Sequence, residues 1–167
     1  MTIQNFNIYT AKGYEGDLVD SGPRVVQTGV LVGSAAGFGK AMVRDTSVER
    51  GIGLGSDEIG STSTTNVFAI SQREYNHEAG SRPSTGNDTV YNETESVSLI
   101  RQGYLYVKIV DHAAVAGEAL VVDEATGVFV GGDAASGTVA GESVALNVFA
   151  DEAGIAGDII KARIDIA

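Results

Sequence analysis

Short apolar stretches separated by glycine-containing turns run along most of the chain. The clearest alternation lies at residues 160–166, where apolar residues alternate with Lys161, Arg163 and Asp165. A period of two predicts a strand with one buried and one solvent-exposed face. In residues 104–110 the same pattern places Leu105, Val107 and Ile109 on one face. No stretch has a helical period of useful length, so the pattern predicts an all-β protein.

One six-residue phrase occurs three times: an aliphatic residue, Ala, Gly, an acid, any residue, then another aliphatic residue. It occupies residues 115–120, 139–144 and 155–160. Glycine adopts backbone conformations closed to other residues, and neither Gly nor Asp favours a strand interior. Each copy is therefore predicted to be a turn that starts a strand. With a predicted hairpin around residues 123–127, the pattern indicates a single-domain β-sandwich or β-barrel.

Two segments depart from this pattern. Residues 1–12 place apolar side chains between polar neighbours without clean alternation, and we expect an extended N-terminal arm. Residues 71–94 form the longest polar stretch, and a loop of that length within a domain is usually functional or mobile. We expect residues 13–167 to form one β domain. Residues 51–55, which carry three glycines, are predicted to be a loop or a bulged strand edge.

Composition limits the partners. The 167 residues suit one domain, and the absence of cysteine excludes disulfides, thiol nucleophiles and thiolate metal sites. A formal charge of −11 with scattered basic residues argues against a nucleic-acid partner, because such binding needs clustered cations. The N-terminus has neither the basic start nor the apolar stretch of a signal peptide, and no segment has membrane-spanning length. We therefore expect no membrane partner and synthesis in a cytoplasm.

Candidate motifs for chemistry are incomplete. The glycines at residues 51–55 lack the third glycine of a dinucleotide fingerprint, and residues 37–40 lack the rest of a phosphate loop. His77 and His112 have no second histidine at metal-ligand spacing. Acid pairs such as Asp123-Glu124 and Asp151-Glu152 have turn-like neighbours and are interpreted as solvated turn residues. We expect no catalytic, metal-binding or cofactor-binding residue, and hence no enzyme.

Several short phrases occur in an order that resembles the small cement, or head-decoration, proteins of tailed bacteriophages. The phrases that carry the resemblance are Gly16-Asp17 and residues 37–43, 68–74, 96–107, 117–127 and 156–160. The length of the polar stretch at residues 75–94 and the aromatic N-terminal arm depart from the family pattern.

The resemblance implies a β-sandwich or barrel that oligomerises on the outside of an expanded capsid and bridges neighbouring major capsid subunits. It implies no catalytic residues and a location on the virion exterior. A trimer is favoured and a dimer is possible. We place the candidate capsid or subunit contacts in the arm and the polar loop, at Phe6, Ile8, Tyr9, Tyr75, His77 and Tyr91. The alternative is that the arm only adds an edge strand and the loop is only mobile.

Two other functions are considered. A carbohydrate- or receptor-binding module of a virion fibre or adhesin would normally offer aromatic platforms, but the chain has no Trp and 7% aromatic residues. A small trimeric β enzyme that hydrolyses nucleotides would need a run combining Ser, Gly and Asp with a catalytic Tyr, and no such run is found.

Overall fold

The computed structural model describes residues 13–19, 23–55, 64–65, 67–74, 90–131 and 141–165, and these contain strands and turns but no helix. The first six strands are β1 (Val25–Leu31), β2 (Ala36–Gly37), β3 (Ala41–Asp45), β4 (Gly51–Leu54), β5 (Thr64–Thr65) and β6 (Ala69–Ser71). The others are β7 (Val90–Tyr91), β8 (Ser96–Lys108), β9 (Ala119–Asp123), β10 (Glu142–Ala150) and β11 (Ile159–Asp165). The all-β prediction is confirmed.

The strand pairings in the first part of the chain close into a ring. Strand β1 pairs with β4, β4 with β3, β3 with β6, β6 with β8, and β8 again with β1. Closure removes unpaired strand edges, which would otherwise be templates for aggregation. The ring shares one hydrophobic cluster, which includes Leu31, Met42, Ile52, Leu99 and Phe38.

The C-terminal half of β8 continues the same sheet beyond the ring. There β8 pairs with β11, β11 with β10, and β10 with β9 and β5. A second cluster fills the space under this part of the sheet and includes Ile70 and Ile100, while their neighbours Ala69 and Leu99 belong to the ring cluster. Because side chains alternate across a strand, β6 and the part of β8 at Leu99 and Ile100 are buried on both faces and join the two clusters.

The repeated phrase behaves as predicted. Gly117, Gly141 and Gly157 have φ angles of 87°, 91° and 94°, and β9, β10 and β11 begin one or two residues after them. The alternation in β11 is also confirmed, since Ile160, Ala162 and Ile164 are fully buried. The predicted hairpin is present too: Asp123 N–H donates to Val128 O, and Val122 forms an antiparallel bridge with Phe129. Ile166 lies outside the described residues.

Three details differ from the sequence-based picture. Residues 51–54 form an inner strand, because Gly51 allows close approach to the preceding turn; a Cβ there would lie 2.6 Å from Asp45 O. The strands predicted at 96–100 and 104–110 form one strand, β8, in which Gly103 at φ 131° absorbs the expected break. At the polar loop, Ser71 belongs to β6, and β7 contributes the ordered pair Val90–Tyr91 near the other end.

Candidate functional site

Five of the six predicted contact residues, Phe6, Ile8, Tyr9, Tyr75 and His77, lie outside the described residues. Their roles therefore stay predictions. What the structure does describe is where the two segments carrying them begin and end. Residues 13–19 follow the arm, and the described ends of the polar loop are residues 71–74 and 90–94.

The sixth residue, Tyr91, lies in the core, contrary to its expected role as a contact. Its side chain is 0% exposed, and its hydroxyl donates a hydrogen bond of 2.7 Å to Gln72 O. Its ring meets Phe38 edge-on, with centroids 5.3 Å apart and planes at 88°. A tyrosine with a satisfied hydroxyl is stable in a core, and this one has no surface left for a partner. We therefore remove Tyr91 from the candidate contacts; it anchors one end of the loop to the other.

Residues 13–19 attach to β8 as a short added strand. Gly16 N–H donates to Tyr106 O at 2.7 Å, and Tyr106 N–H donates to Asp17 O at 2.9 Å. Leu18 forms an antiparallel bridge with Leu105. The chain that follows the arm is thus fixed to the longest strand of the fold.

The start of the loop is fixed at the same place. Arg73 N–H donates to Gly16 O at 2.8 Å, and Gly39 N–H donates to Ser71 O at 2.8 Å. The fully buried Ser71 hydroxyl donates to Gly37 O and accepts from Lys40 N–H, both at 2.9 Å. We call residues 13–19, 37–40 and 71–74 the root. The root therefore brings together residues from three of the separate phrases on which the family resemblance depends.

Two glycines make this junction possible. Gly16 has φ 84° and Gly39 has φ 66°. A Cβ on Gly16 would lie 2.7 Å from Phe38 Cβ and 2.9 Å from Gly39 N, and a Cβ on Gly39 would lie 2.9 Å from Gly16 N. Real Cβ contacts are longer than this, so both positions need glycine for its backbone conformation and for its lack of a side chain.

Charged and aromatic side chains cover the junction. The Arg73 guanidinium lies between two rings, 4.8 Å from the Tyr14 centroid and 5.2 Å from that of Phe38. Lys40 Nζ and Glu15 Oε1 form a half-buried ion pair at 2.5 Å. Tyr14 is 65% exposed, so it presents an aromatic surface at the root. Tyr14 was not among the predicted contacts, which were placed only in the arm and the polar loop.

The acids elsewhere serve the turns, as expected. Asp123 Oδ1 accepts hydrogen bonds from Ala125 N–H and Thr126 N–H at 3.0 and 2.8 Å. Asp151 Oδ2 pairs with Lys161 Nζ at 2.9 Å, and this hydrogen bond raises the pKa of Lys161. At Asp45, a hydrogen bond from the Ser47 hydroxyl lowers the pKa of the carboxyl group. Such contacts stabilise turns locally.

Of the two histidines, His112 lies within the described residues. His112 Nε2 lies 4.0 Å from Asp111 Oδ2, and both side chains are more than half exposed. Within the described ranges, no group of three or more His, Cys, Asp or Glu residues could hold a metal ion. In the same ranges no helix is long and apolar enough to cross a membrane.

Comparisons with known proteins identify the family. No curated protein matches the chain. A solved structure titled "The capsid of Myoviridae Phage XM1" includes a chain with the same fold, at 14% identity and a TM-score of 0.64, over 95% of this chain and 94% of that one. The family model described as structural cement protein (E217 gp24/Pam3 gp6) matches residues 3–165. This chain therefore belongs to the structural cement protein family of bacteriophages.

Proposed function

We propose that the protein binds the outside of the mature phage head and bridges neighbouring major capsid subunits, thereby stabilising the shell. The observation that carries the proposal is the match of the cement-protein family to residues 3–165. The role requires binding and no chemistry, in keeping with acids that serve turns. The protein would be made in the host cytoplasm and act on the virion exterior.

Mass action explains how such a protein stabilises a capsid. Packaged DNA presses outward, and the junctions between capsomers are where a shell separates. A ligand that binds only the mature arrangement lowers the free energy of that arrangement in proportion to its occupancy. Many identical contacts over one particle then act together, so that each contact can be individually weak.

The root supports this role by its geometry. It gathers the segment after the arm and the start of the polar loop onto one stretch of β8, through Gly16, Arg73 and Tyr106. Two segments that start from one rigid point can reach a shared partner with little loss of internal freedom. We propose that Phe6, Ile8, Tyr9, Tyr75 and His77 contact the capsid or a neighbouring copy, with the exposed Tyr14 beside them.

The test adds purified full-length protein to matured capsids that lack it, and to unexpanded shells as the control. We expect saturable binding to the mature shells only, and a higher temperature of shell disruption. Replacing two arm residues, as F6S/Y9S, is expected to weaken binding while leaving the melting temperature of the free protein unchanged.

Light scattering of the free protein tests the proposed homo-oligomer, for which a trimer is favoured and a dimer is possible. Failure to bind any mature shell, together with a monomeric species in solution, would contradict the proposal.

A further inference from the structure

The loops that follow β8 and β10 are two copies of one sequence pattern. Residues 111–118 read Asp-His-Ala-Ala-Val-Ala-Gly-Glu, and residues 151–158 read Asp-Glu-Ala-Gly-Ile-Ala-Gly-Asp. Identical residues occupy the first, third, sixth and seventh positions, and similar residues occupy the fourth, fifth and eighth. We call these two segments the turn pair.

The two copies lie against each other in antiparallel orientation. Ala114 and Gly154, which occupy equivalent positions, form a bridge in which each N–H donates to the other's carbonyl, at 2.8 and 3.1 Å. The glycine of each copy then donates to the opposite unit, Gly117 N–H to Ala150 O and Gly157 N–H to Ile109 O, both at 2.7 Å. The turn pair is thus close to two-fold symmetric.

This arrangement places two aliphatic side chains together on the surface. Val115 and Ile155 each follow a residue of the bridge, so they are diagonal neighbours on one face. Val115 is 46% exposed and Ile155 is 66% exposed. Four alanines of the same segments are also exposed: Ala113, Ala116, Ala153 and Ala156. Exposed apolar side chains that occur together mark an interaction site more often than scattered single residues do.

The turn pair is acidic in composition. The two segments contain five, and they contain no Lys or Arg; the acids are Asp111, Glu118, Asp151, Glu152 and Asp158. The nearby Lys161 is already paired with Asp151. A second copy docking through the same face would bring two acidic turn pairs together, and their like charges would repel each other. The charge fits a partner with Lys or Arg around an apolar contact.

We infer that the turn pair is a docking face for an apolar segment flanked by Lys or Arg on the outer surface of the major capsid protein. This inference rests on the proposed function and adds to it a contact surface on the described fold. The root is bonded to β8 at Tyr106, and the turn pair begins just beyond the end of β8 at Lys108. Strand β8 therefore connects the root to the turn pair.

The first experiment compares two double variants with the wild-type protein on mature undecorated capsids. V115S/I155S removes the two exposed aliphatic side chains, and V48S/L146S replaces two aliphatic residues of similar exposure, 46% and 51%, outside the turn pair. We expect V115S/I155S to bind about tenfold or more weakly, as for loss of a central apolar contact. The control should bind within about twofold of wild type, because isolated exposed aliphatics carry little binding energy. Circular dichroism should give all three the same melting temperature.

The second experiment tests whether the acidic residues of the turn pair contribute to binding. Asp111 is 68% exposed at its side chain, so D111K changes its charge with little effect on folding. We expect D111K to bind more weakly than wild type at low salt and to show a smaller loss of binding as salt is raised.

The outcomes separate this inference from the proposed function. If wild type binds no shell, the proposed function itself fails. If wild type binds and V115S/I155S binds equally well, the inference is overturned while the proposed function stands. If V115S/I155S instead changes the oligomeric state without capsids, the turn pair is an interface between copies, and the inference is again overturned.

Discussion

The root and the turn pair use glycine in the same conformation for different reasons. In the root, Gly16 at φ 84° is enclosed by Phe38, Gly39 and Arg73. In the turn pair, Gly117 at φ 87° has no atom within 4 Å of where a Cβ would lie. The root is a junction in which backbones touch, whereas the turn pair is a bend that projects side chains outward. A positive φ alone does not reveal which of the two a glycine serves.

The exposure of two side chains, Tyr91 beside the root and Ile155 in the turn pair, differs from what their residue types and neighbours suggest. Tyr91, an aromatic residue in a polar stretch, was expected at a contact and is 0% exposed. Ile155, in a phrase interpreted as turn chemistry, is 66% exposed, more than any other aliphatic residue described. Residue type therefore misled in both places, because exposure depends on which carbonyl or side chain the fold brings alongside.

Gly16→Ala is the substitution with the largest expected effect, and it tests whether the root is a rigid junction. We expect the free energy of unfolding to fall by about 3 kcal/mol or more, because the new methyl group adds overpacking to backbone strain. The Cβ would face the backbone at Gly39 N, which cannot move without breaking its bond to Ser71. Urea unfolding measures the change. A loss below 1 kcal/mol would show that the root relaxes easily and is no rigid junction.

Gly117→Ala is the matched substitution in the turn pair. With open space around it, the only cost is the left-handed conformation, and we expect a loss of about 1–2 kcal/mol. Gly117→Asn should cost less than Gly117→Ala, because Asn tolerates this conformation better. The same urea series checks both. An alanine cost equal to that at Gly16 would remove the distinction between the two regions.

The smallest expected change in stability comes from the ion pair between Lys161 and Asp151. The hydrogen bond from Lys161 to Asp151 raises the pKa of Lys161, so its stabilisation is present below the unfolded pKa of about 10.4 and is lost as the pH rises through the higher folded pKa. Both side chains are about one-third exposed, at 32% and 39%, so we expect Asp151→Asn to cost under about 1 kcal/mol.

The measurement is the stability difference between wild type and Asp151→Asn from pH 8 upward. It should hold steady to about pH 10 and shrink above that. A difference that persists unchanged to the highest pH would assign the effect to the turn at Asp151 and not to the ion pair.

Local pattern was enough for the strands and turns of the C-terminal third. The phrases at Gly117, Gly141 and Gly157 and the alternation in β11 depend on neighbours in sequence, and the structure confirms them. The inner strand at 51–54 escaped prediction because Gly51 is required by its close approach to Asp45, and glycine in a sequence is more often a sign of a loop. A β-barrel was one of the two predicted architectures, but the strands that close the ring could not be named from sequence, since β1 pairs with β8 far along the chain.

The candidate site shows the same limit. Its phrases could be named from sequence, but nothing local indicates that Gly16, Gly39 and Arg73 meet at one point. The symmetry of the turn pair was visible as a repeat and was interpreted only as turn chemistry. The bridge between Ala114 and Gly154 is a tertiary contact, and it alone brings Val115 and Ile155 onto one face.

Strand β8 also has a mechanical consequence. The root is bonded to it at Tyr104 and Tyr106, and the turn pair begins after its last residue, Lys108. Tension between these two surfaces would pull along β8 and would load the hydrogen bonds that join the root to Tyr104 and Tyr106. Antiparallel bonds lie perpendicular to the strands, so such a load stretches them all in shear and does not peel them singly. If the two surfaces bind neighbouring capsid subunits as proposed, these hydrogen bonds would resist separation of the subunits together.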